Sequence, residues 1–149
     1  LPFESDSFDA AIAADVLCHA AVDPSAALAE QKRILRPGGR LIVNMPAYQW
    51  LLSTHDRQVH NARRFTASAT AALLRQAGFK RVRAVYWNGL LLPLMILQRK
   101  ILNRGDSVSD VAPFAPWLDV TLHSVTKFEH RLPFPLPAGG SVLAIAEKP

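Results

Sequence analysis

The first apolar segment of the chain has the pattern of a buried strand. Phe8–Leu17 is a largely apolar run that only Asp9 and Asp15 interrupt. Its apolar side chains fall on both faces of an extended backbone, which is typical of a parallel sheet covered by helices on both sides. A buried helix is the alternative, but the Ser-Asp-Ser turn at residues 5–7 favours a strand.

The next segment predicts a helix and a second strand. Asp23 and Pro24 are residue types that begin helices. The Pro-Gly-Gly segment at 37–39 is expected to end this helix, with Arg36 in its last turn. The apolar residues 41–43 then predict a short buried strand, so the three elements form a right-handed βαβ unit.

The rest of the chain continues this alternation and contains no internal repeat. The remaining segments are, in order, a polar and aromatic loop over 47–65, a helix capped by Thr66 and ended by Gly78, a strand over Val82–Trp87, an insertion or cap over about 89–138, and a last strand over Ser141–Ala146. No linker is long enough to separate two domains. We therefore expect one α/β domain over residues 1–149.

Composition narrows the class of protein. Half of the 149 residues are hydrophobic and 19% are charged, which fits a packed core and excludes a disordered chain. The longest apolar run is Leu90–Leu97, whereas a membrane-spanning helix needs about 20 residues. Cys18 is the only cysteine, which excludes a disulfide or an all-cysteine zinc site within the chain. The net charge of +5 suits an anionic partner without requiring one.

Several motifs in fixed order resemble the class I S-adenosylmethionine-dependent methyltransferases of the type 11 kind. They are LPF-x4-FD before the first predicted strand, His19 just after it, ILRPGGRLIV at the end of the first helix, and FTASATAALLRQAGF in the later helix. Each motif alone is weak, but their order and spacing are specific.

The resemblance implies a partial Rossmann-like sheet that holds strands four to seven of the family's seven. The last strand would run antiparallel between the fifth and sixth, after a helical insertion. The family's glycine-rich cofactor loop has no counterpart, since GxGxG occurs nowhere in the sequence. The chain begins at Leu1 within structured-looking sequence. It is therefore expected to be a carboxyl-terminal portion that alone binds S-adenosylmethionine weakly or not at all.

The resemblance also implies where the cofactor and the reacting atoms lie. Ligands of such sheets bind beyond the carboxyl ends of the strands. Ala14, Asp15 and Val16, at the end of the first strand, would contact the amino acid end of the cofactor. His19 is the candidate catalytic residue, as a general base. The alternative for His19 is a hydrogen bond that fixes the loop.

The loop over 47–65 carries the candidate substrate-binding residues, because polar side chains are dense there and substrate would enter on that side. They are Tyr48, His55, Asp56, His60 and Arg64. Similar loops occur in bacterial methyltransferases that resemble enzymes of cell-surface glycan or lipid assembly. A solvated loop with ion pairs is the alternative. Three of these residues are metal-ligand types, but without a recognised ligand spacing no metal is predicted.

The function expected from these observations is S-adenosylmethionine-dependent methyl transfer to a small-molecule, lipid or glycan acceptor. One alternative is a catalytically inactive remnant that acts as an interaction module. Another is a nucleic-acid methyltransferase, which the short basic patches at 80–83 and 99–104 support poorly. We expect a cytoplasmic protein. Leu90–Leu102 is expected to pack in the core, with peripheral membrane contact as the alternative.

Overall fold

A computed structural model describes residues 1–99 and 116–149 of the chain. The elements are β1 (Phe8–Ala14), α1 (Pro24–Ile34), β2 (Leu35–Pro46), a 3₁₀ turn (Gln49–Leu51), α2 (Thr54–Gln58), α3 (Ala67–Gln76), β3 (Lys80–Trp87), α4 (Leu92–Leu97), α5 (Pro116–Glu129) and β4 (Ser141–Glu147).

In the described part of the chain, the four strands form one sheet of order β1–β2–β4–β3. β1 and β2 are parallel, and β4 is antiparallel to both of its neighbours, β2 and β3. β1, β2 and β3 therefore run in the same direction. The predicted α/β class and the reversed last strand, inserted between two parallel strands, are confirmed.

The core lies on one face of this sheet, under α1 and α3. Leu28 of α1 and Leu74 of α3 are fully buried there, with Leu41 and Val43 of β2. These positions alternate along β2, as expected for a strand with one covered face. On the opposite face, Ile12 is 74% exposed.

β1 ends three residues before the predicted boundary at Leu17. Its last residue is Ala14, because Asp15 has a φ of +54°, outside the extended region that a strand requires. The following Leu17 and Cys18 are nevertheless fully buried, so the apolar run continues into a packed turn.

The end of α1 differs from the prediction. The helix ends at Ile34, and Leu35 already belongs to β2, in register with Phe8. Arg36 therefore lies outside the helix, where its guanidinium binds Asp9 of the neighbouring strand at 2.8 Å. The Asp23 cap is confirmed, since its carboxylate accepts from the Ser25 amide.

The segment predicted as a loop over 47–65 contains two short helical elements. α2 begins with a capping box, in which Ser53 and Asp56 each bind the other's backbone amide. Thr66 caps α3 as predicted, and Gly78 has the expected positive φ of +81°. Some of the polar residues in this loop are therefore there to cap a helix.

The insertion is helical where it is described, but α4 is not part of the core. α4 covers six residues and buries none of its side chains, with Leu94 and Leu97 more than 40% exposed. Core packing of Leu90–Leu102 is therefore wrong for the described residues of that segment. Residues 100–102 and Arg104 lie outside the described residues. No helix within 1–99 or 116–149 combines the length and hydropathy needed to cross a bilayer.

Candidate functional site

The carboxyl ends of β1 and β2 and the start of β4 surround a cavity of about 160 Å³. We call it the carboxyl-edge cavity. It is lined by Asp15, Pro46, His55, Asp56, Asn61, Arg64, Met95, Arg99, Gly140 and Ser141. The structure thus brings together one predicted cofactor residue, Asp15, and three predicted substrate residues, His55, Asp56 and Arg64.

Asp15 lies on the wall of this cavity, immediately after β1. Its backbone amide donates to the Asn44 carbonyl at 2.9 Å, and the Asn44 side chain donates to its carboxylate at 3.3 Å. Partial burial raises the pKa of Asp15, and the hydrogen bond from Asn44 and the charge of Arg64 partly oppose this rise. Ala14 and Val16, the other predicted cofactor residues, lie beside Asp15 and are exposed.

Asp56 and Arg64 form a buried ion pair at the back of the cavity. The Arg64 guanidinium donates to both carboxylate oxygens at 2.8–3.2 Å, and the two side chains are 3% and 2% exposed. A third charge, Arg99 of the insertion, binds the same carboxylate at 3.3 Å. Burial alone would raise the pKa of Asp56, but hydrogen bonds from Arg64 and Ser53 hold it below its usual value.

This pairing determines what the two residues can do. Arg64 also donates to the Ala47 carbonyl at 3.0 Å, so its guanidinium is largely occupied by the protein. An ionised, bidentate pair of this kind fixes the loop after β2. His55 differs, because its Nδ1 is buried on the cavity wall without a hydrogen-bond partner among the described residues.

The predicted catalytic residue His19 lies beside the cavity but is not part of its wall. Its Nδ1 accepts from the Ala21 amide at 3.2 Å, and its ring lies 5.8 Å from that of His60. Arg63 donates to the carbonyls of His19 and Val22 at 3.0–3.1 Å. These contacts are those of a residue that fixes the turn after β1.

Cys18 ties the same turn to the loop after β2. Its thiol lies 3.0 Å from the Asp15 carbonyl oxygen and 3.1 Å from Asn61 Oδ1, and its single proton can be donated to either acceptor. Burial, with a smaller contribution from the Asp15 charge, raises the pKa of Cys18 to about 11. The thiol is therefore neutral near pH 7 and does not act as a nucleophile there.

Tyr48 and His60, the other predicted substrate residues, do not line the cavity. The ring of Tyr48 stacks on Tyr86 with centroids 5.2 Å apart and lies 5.6 Å from the ring of Trp50. Burial, followed by a hydrogen bond with Tyr86, raises the pKa of Tyr48. Tyr48 and His60 both have φ of +59°, so each occupies a tight turn.

Sequence reasoning missed Asn44, Asn61 and Arg99. Asn44 has a visible signal, because it is a polar residue within the apolar segment Leu41–Met45 of β2. Arg99 has none, since its partner Asp56 lies 43 residues away in the sequence. Arg99 was predicted as part of a basic surface patch, which is wrong: its side chain is only 15% exposed and pairs inward.

Groups of three or more His, Cys, Asp or Glu placed to share a metal ion are absent from residues 1–99 and 116–149. The site is therefore defined by hydrogen-bonding and ionic groups at the carboxyl edge of an α/β sheet with a reversed last strand. This is the class of α/β proteins that bind ligands beyond their strand ends.

Comparisons with known proteins agree with this class and point to methyltransferases. Residues 1–43 match the family described as methyltransferase domain. A solved S-adenosylmethionine-dependent methyltransferase of Thermotoga maritima has the same fold, with a TM-score of 0.59 at 22% identity over 100% of this chain and 59% of that one. These matches support a class I S-adenosylmethionine-dependent methyltransferase, with the family model covering residues 1–43 and the fold shared over the whole chain.

Two curated relatives extend the similarity. The chain is 33% identical over 123 residues to the ubiquinone/menaquinone biosynthesis C-methyltransferase of Paracoccus denitrificans, covering 65% of this chain and 48% of that protein. It is 36% identical over 114 residues to a 37.1 kDa protein in a Streptomyces fradiae transposon, covering 74% of this chain and 32% of that protein. The chain thus spans between a third and a half of the length of these relatives.

Proposed function

We propose that the protein transfers the methyl group of S-adenosylmethionine to an acceptor bound at the carboxyl edge of the sheet. The observation that carries this proposal is the order β1–β2–β4–β3 with β4 reversed, together with the cavity at the strand ends. The family match over residues 1–43 supports it.

The residues at the end of β1 are suited to hold the charged part of the cofactor. S-adenosylmethionine supplies an electrophilic methyl group on a positively charged sulfur. An anionic carboxylate at Asp15 would attract the cationic groups of such a ligand, and the exposed backbone at Ala14 and Val16 leaves room for close approach. A cavity of about 160 Å³ holds only part of a ligand of this size.

In-line methyl transfer depends mainly on the orientation of the acceptor. The described residues supply a rigid back wall in the Asp56–Arg64 pair and one side chain, His55, with a buried nitrogen still able to bind a ligand. We propose that His55 contacts the acceptor and that His19 fixes the wall of the site through its turn.

We propose a small-molecule, lipid or glycan as the acceptor, and the insertion favours a molecule with an apolar part. Met95 of α4 lines the cavity, and the same helix exposes Leu94 and Leu97 to solvent. A helix that both lines the cavity and exposes apolar side chains fits an acceptor that is only partly enclosed.

Methyl transfer from labelled S-adenosylmethionine tests the proposal. The full-length protein is incubated with methyl-labelled cofactor and separate pools of lipids, glycans and small aromatic or amine acceptors, and labelled product is counted. His55→Ala should raise the acceptor KM, whereas the matched His123→Ala, on the exposed surface of α5, should not. Absence of both cofactor binding and labelled product would favour an inactive interaction module.

A further inference from the structure

Trp87, Asn44 and Asp15 form a hydrogen-bonded row across the carboxyl edge of the sheet. The indole N–H of Trp87 donates to Asn44 Oδ1 at 2.9 Å, and Asn44 Nδ2 donates to Asp15 Oδ1 at 3.3 Å. An indole can only donate a hydrogen bond, and an ionised carboxylate can only accept one. The amide of Asn44 therefore has one orientation that satisfies both neighbours.

We propose that Asn44 and Trp87 are positioning residues for the Asp15 carboxylate, which they orient toward the carboxyl-edge cavity. The proposal rests on the proposed function in one respect, namely that Asp15 contacts the cofactor or the acceptor. Neither positioning residue lies in the binding loops: Asn44 belongs to β2 and Trp87 is the last residue of β3.

Asp15 needs such support because of where it lies. It follows the last residue of β1, has a positive φ and is exposed, so the strand itself does not restrict its side chain. The charged groups on the cavity wall around it are Arg64, Asp56 and Arg99, and the titratable side chains of His55 and Cys18 lie beside them. Among these positive and negative charges, the hydrogen bond from Asn44 selects one orientation of the Asp15 carboxylate.

The far end of the row is anchored to the insertion. The ring of His130 stacks on Trp87 with centroids 6.1 Å apart. The preceding residue, Glu129, accepts from the amides of Gly89 and Leu90 at 3.0 Å and so ties the end of α5 to the segment after β3. The indole is therefore held both by the ring of His130 and by its hydrogen bond to Asn44, which places the row in contact with the end of α5.

A spectroscopic test follows the Trp87 indole N–H by NMR in the full-length protein as the pH is varied. The row predicts that this signal shifts as Asp15 titrates and that the shift is absent in Asp15→Asn. Trp117 is 71% exposed on α5 and should show no such shift, which makes it an internal control. A Trp87 signal that is insensitive to Asp15→Asn overturns the proposal, whether or not the protein transfers methyl groups.

A kinetic test uses variants that break the row. Trp87→Phe keeps an aromatic ring and removes the donor to Asn44, while Asn44→Leu keeps the size of the side chain and removes the donor to Asp15. Loss of one such hydrogen bond should lower kcat/KM about tenfold. Without the donated bond the Asp15 carboxyl loses its proton at higher pH, so the acid limb of the profile should move upward. Trp117→Phe should leave both unchanged.

The outcomes separate this proposal from the proposed function. If the parent protein transfers methyl groups and the folded variants keep both its catalytic efficiency and its pH profile, positioning by the row is overturned and the function stands. If Trp87→Phe fails to fold, Asn44→Leu and the NMR titration still decide. If the parent neither binds nor uses the cofactor, the function fails and the indole titration alone decides whether the row orients Asp15.

Discussion

The buried charge of Asp56 is neutralised by side chains of the protein itself. Asp56 accepts from Arg64, Arg99 and the hydroxyl of Ser53, and its carboxylate is 2% exposed. A buried carboxylate in such a setting is stable only while its partners remain, because each lost bond leaves a charge without solvent or counterion. The residue types that suggested substrate binding therefore also explain why the loop after β2 is ordered.

Arg64→Ala tests this at one position. Removing the guanidinium leaves Asp56 buried with a weaker partner, so the free energy of unfolding should fall by about 3–5 kcal/mol. The measurement is urea denaturation followed by circular dichroism. Arg57→Ala is the matched control, since Arg57 is exposed on α2, and it should change stability by less than about 0.5 kcal/mol.

The pH dependence of the same variant has a definite sign. The folded-state pKa of Asp56 is lowered, so its contribution to stability is present above the unfolded value and is lost as the pH falls through the folded pKa. In Arg64→Ala this acid-dependent loss should shrink. An unchanged acid profile would show that Arg64 does not stabilise the ionised form of Asp56.

His19 allows a prediction that separates two roles. As an acceptor at Nδ1, its neutral ring carries the proton at Nε2 and fixes the turn through the Ala21 amide. His19→Ala should therefore lower turnover more than cofactor affinity, by loosening the turn after β1. His19→Asn places an acceptor at the same distance from the backbone and should restore most of the turnover. Failure of His19→Asn to restore it, in a folded protein, would favour general-base catalysis.

At the scale of elements, the existence of the strands was easier to predict than the residues at which they end. The short helices within the loop after β2 were also harder to predict. Short apolar segments predict β2 and β4, but the end of β1 depends on the backbone of Asp15, which no hydrophobic pattern reveals. α2 was missed because its capping pair, Ser53 and Asp56, resembles any polar stretch of loop. The order of the strands came from the resemblance to a family, because spacing alone does not fix the place of β4.

The candidate site divides in the same way. The family resemblance predicted Asp15 at this edge, and the polar density of the loop after β2 predicted His55, Asp56 and Arg64 there. The roles of Asn44 and Arg99 could not be predicted, since they depend on hydrogen bonds between residues far apart in sequence. Long-range pairing of this kind is fixed only when the sheet is assembled.

The exposed apolar surface of α4 leads to a prediction about membranes. Leu94 and Leu97 are 45% and 43% exposed, as expected for a helix that lies on a lipid surface. The full-length protein should sediment with anionic vesicles, and Leu94→Asp should reduce the bound fraction severalfold. Val59→Asp, at a similarly exposed valine after α2, is the matched control and should bind as the parent does.

Arg99 is the cationic residue that follows α4, but its charge cannot be reversed to test membrane binding. Arg99 pairs with buried Asp56 and donates to the Leu51 carbonyl, so reversing its charge would disrupt the cavity wall. If the parent protein remains in solution with both anionic and neutral vesicles, membrane contact through α4 is excluded. The exposed leucines would then be assigned to contacts with protein or with the acceptor.

At the scale of the whole molecule, the two faces of the sheet are unequal. One face packs under α1 and α3 and contains the fully buried Leu41 and Val43. On the other face, Ile12, Ile42 and Ile145 form a continuous row by strand register, and the outer two are 74% and 42% exposed. A β-branched row of this kind is usually covered, because exposed apolar strands at a sheet edge favour association.

Two substitutions, made in the chain of residues 1–149, compare how much side-chain packing on each face of the sheet contributes to the free energy of unfolding. Leu41→Ala should lower the free energy of unfolding by about 2–5 kcal/mol, because it leaves a cavity under the helices. Ile12→Ala removes a largely solvated side chain and should cost less than about 1 kcal/mol. Denaturant unfolding of the two variants under identical conditions gives both values. Equal costs would show that the outer face is packed, and a cost at Ile12 that appears only in a longer form of the protein would identify further chain as its cover.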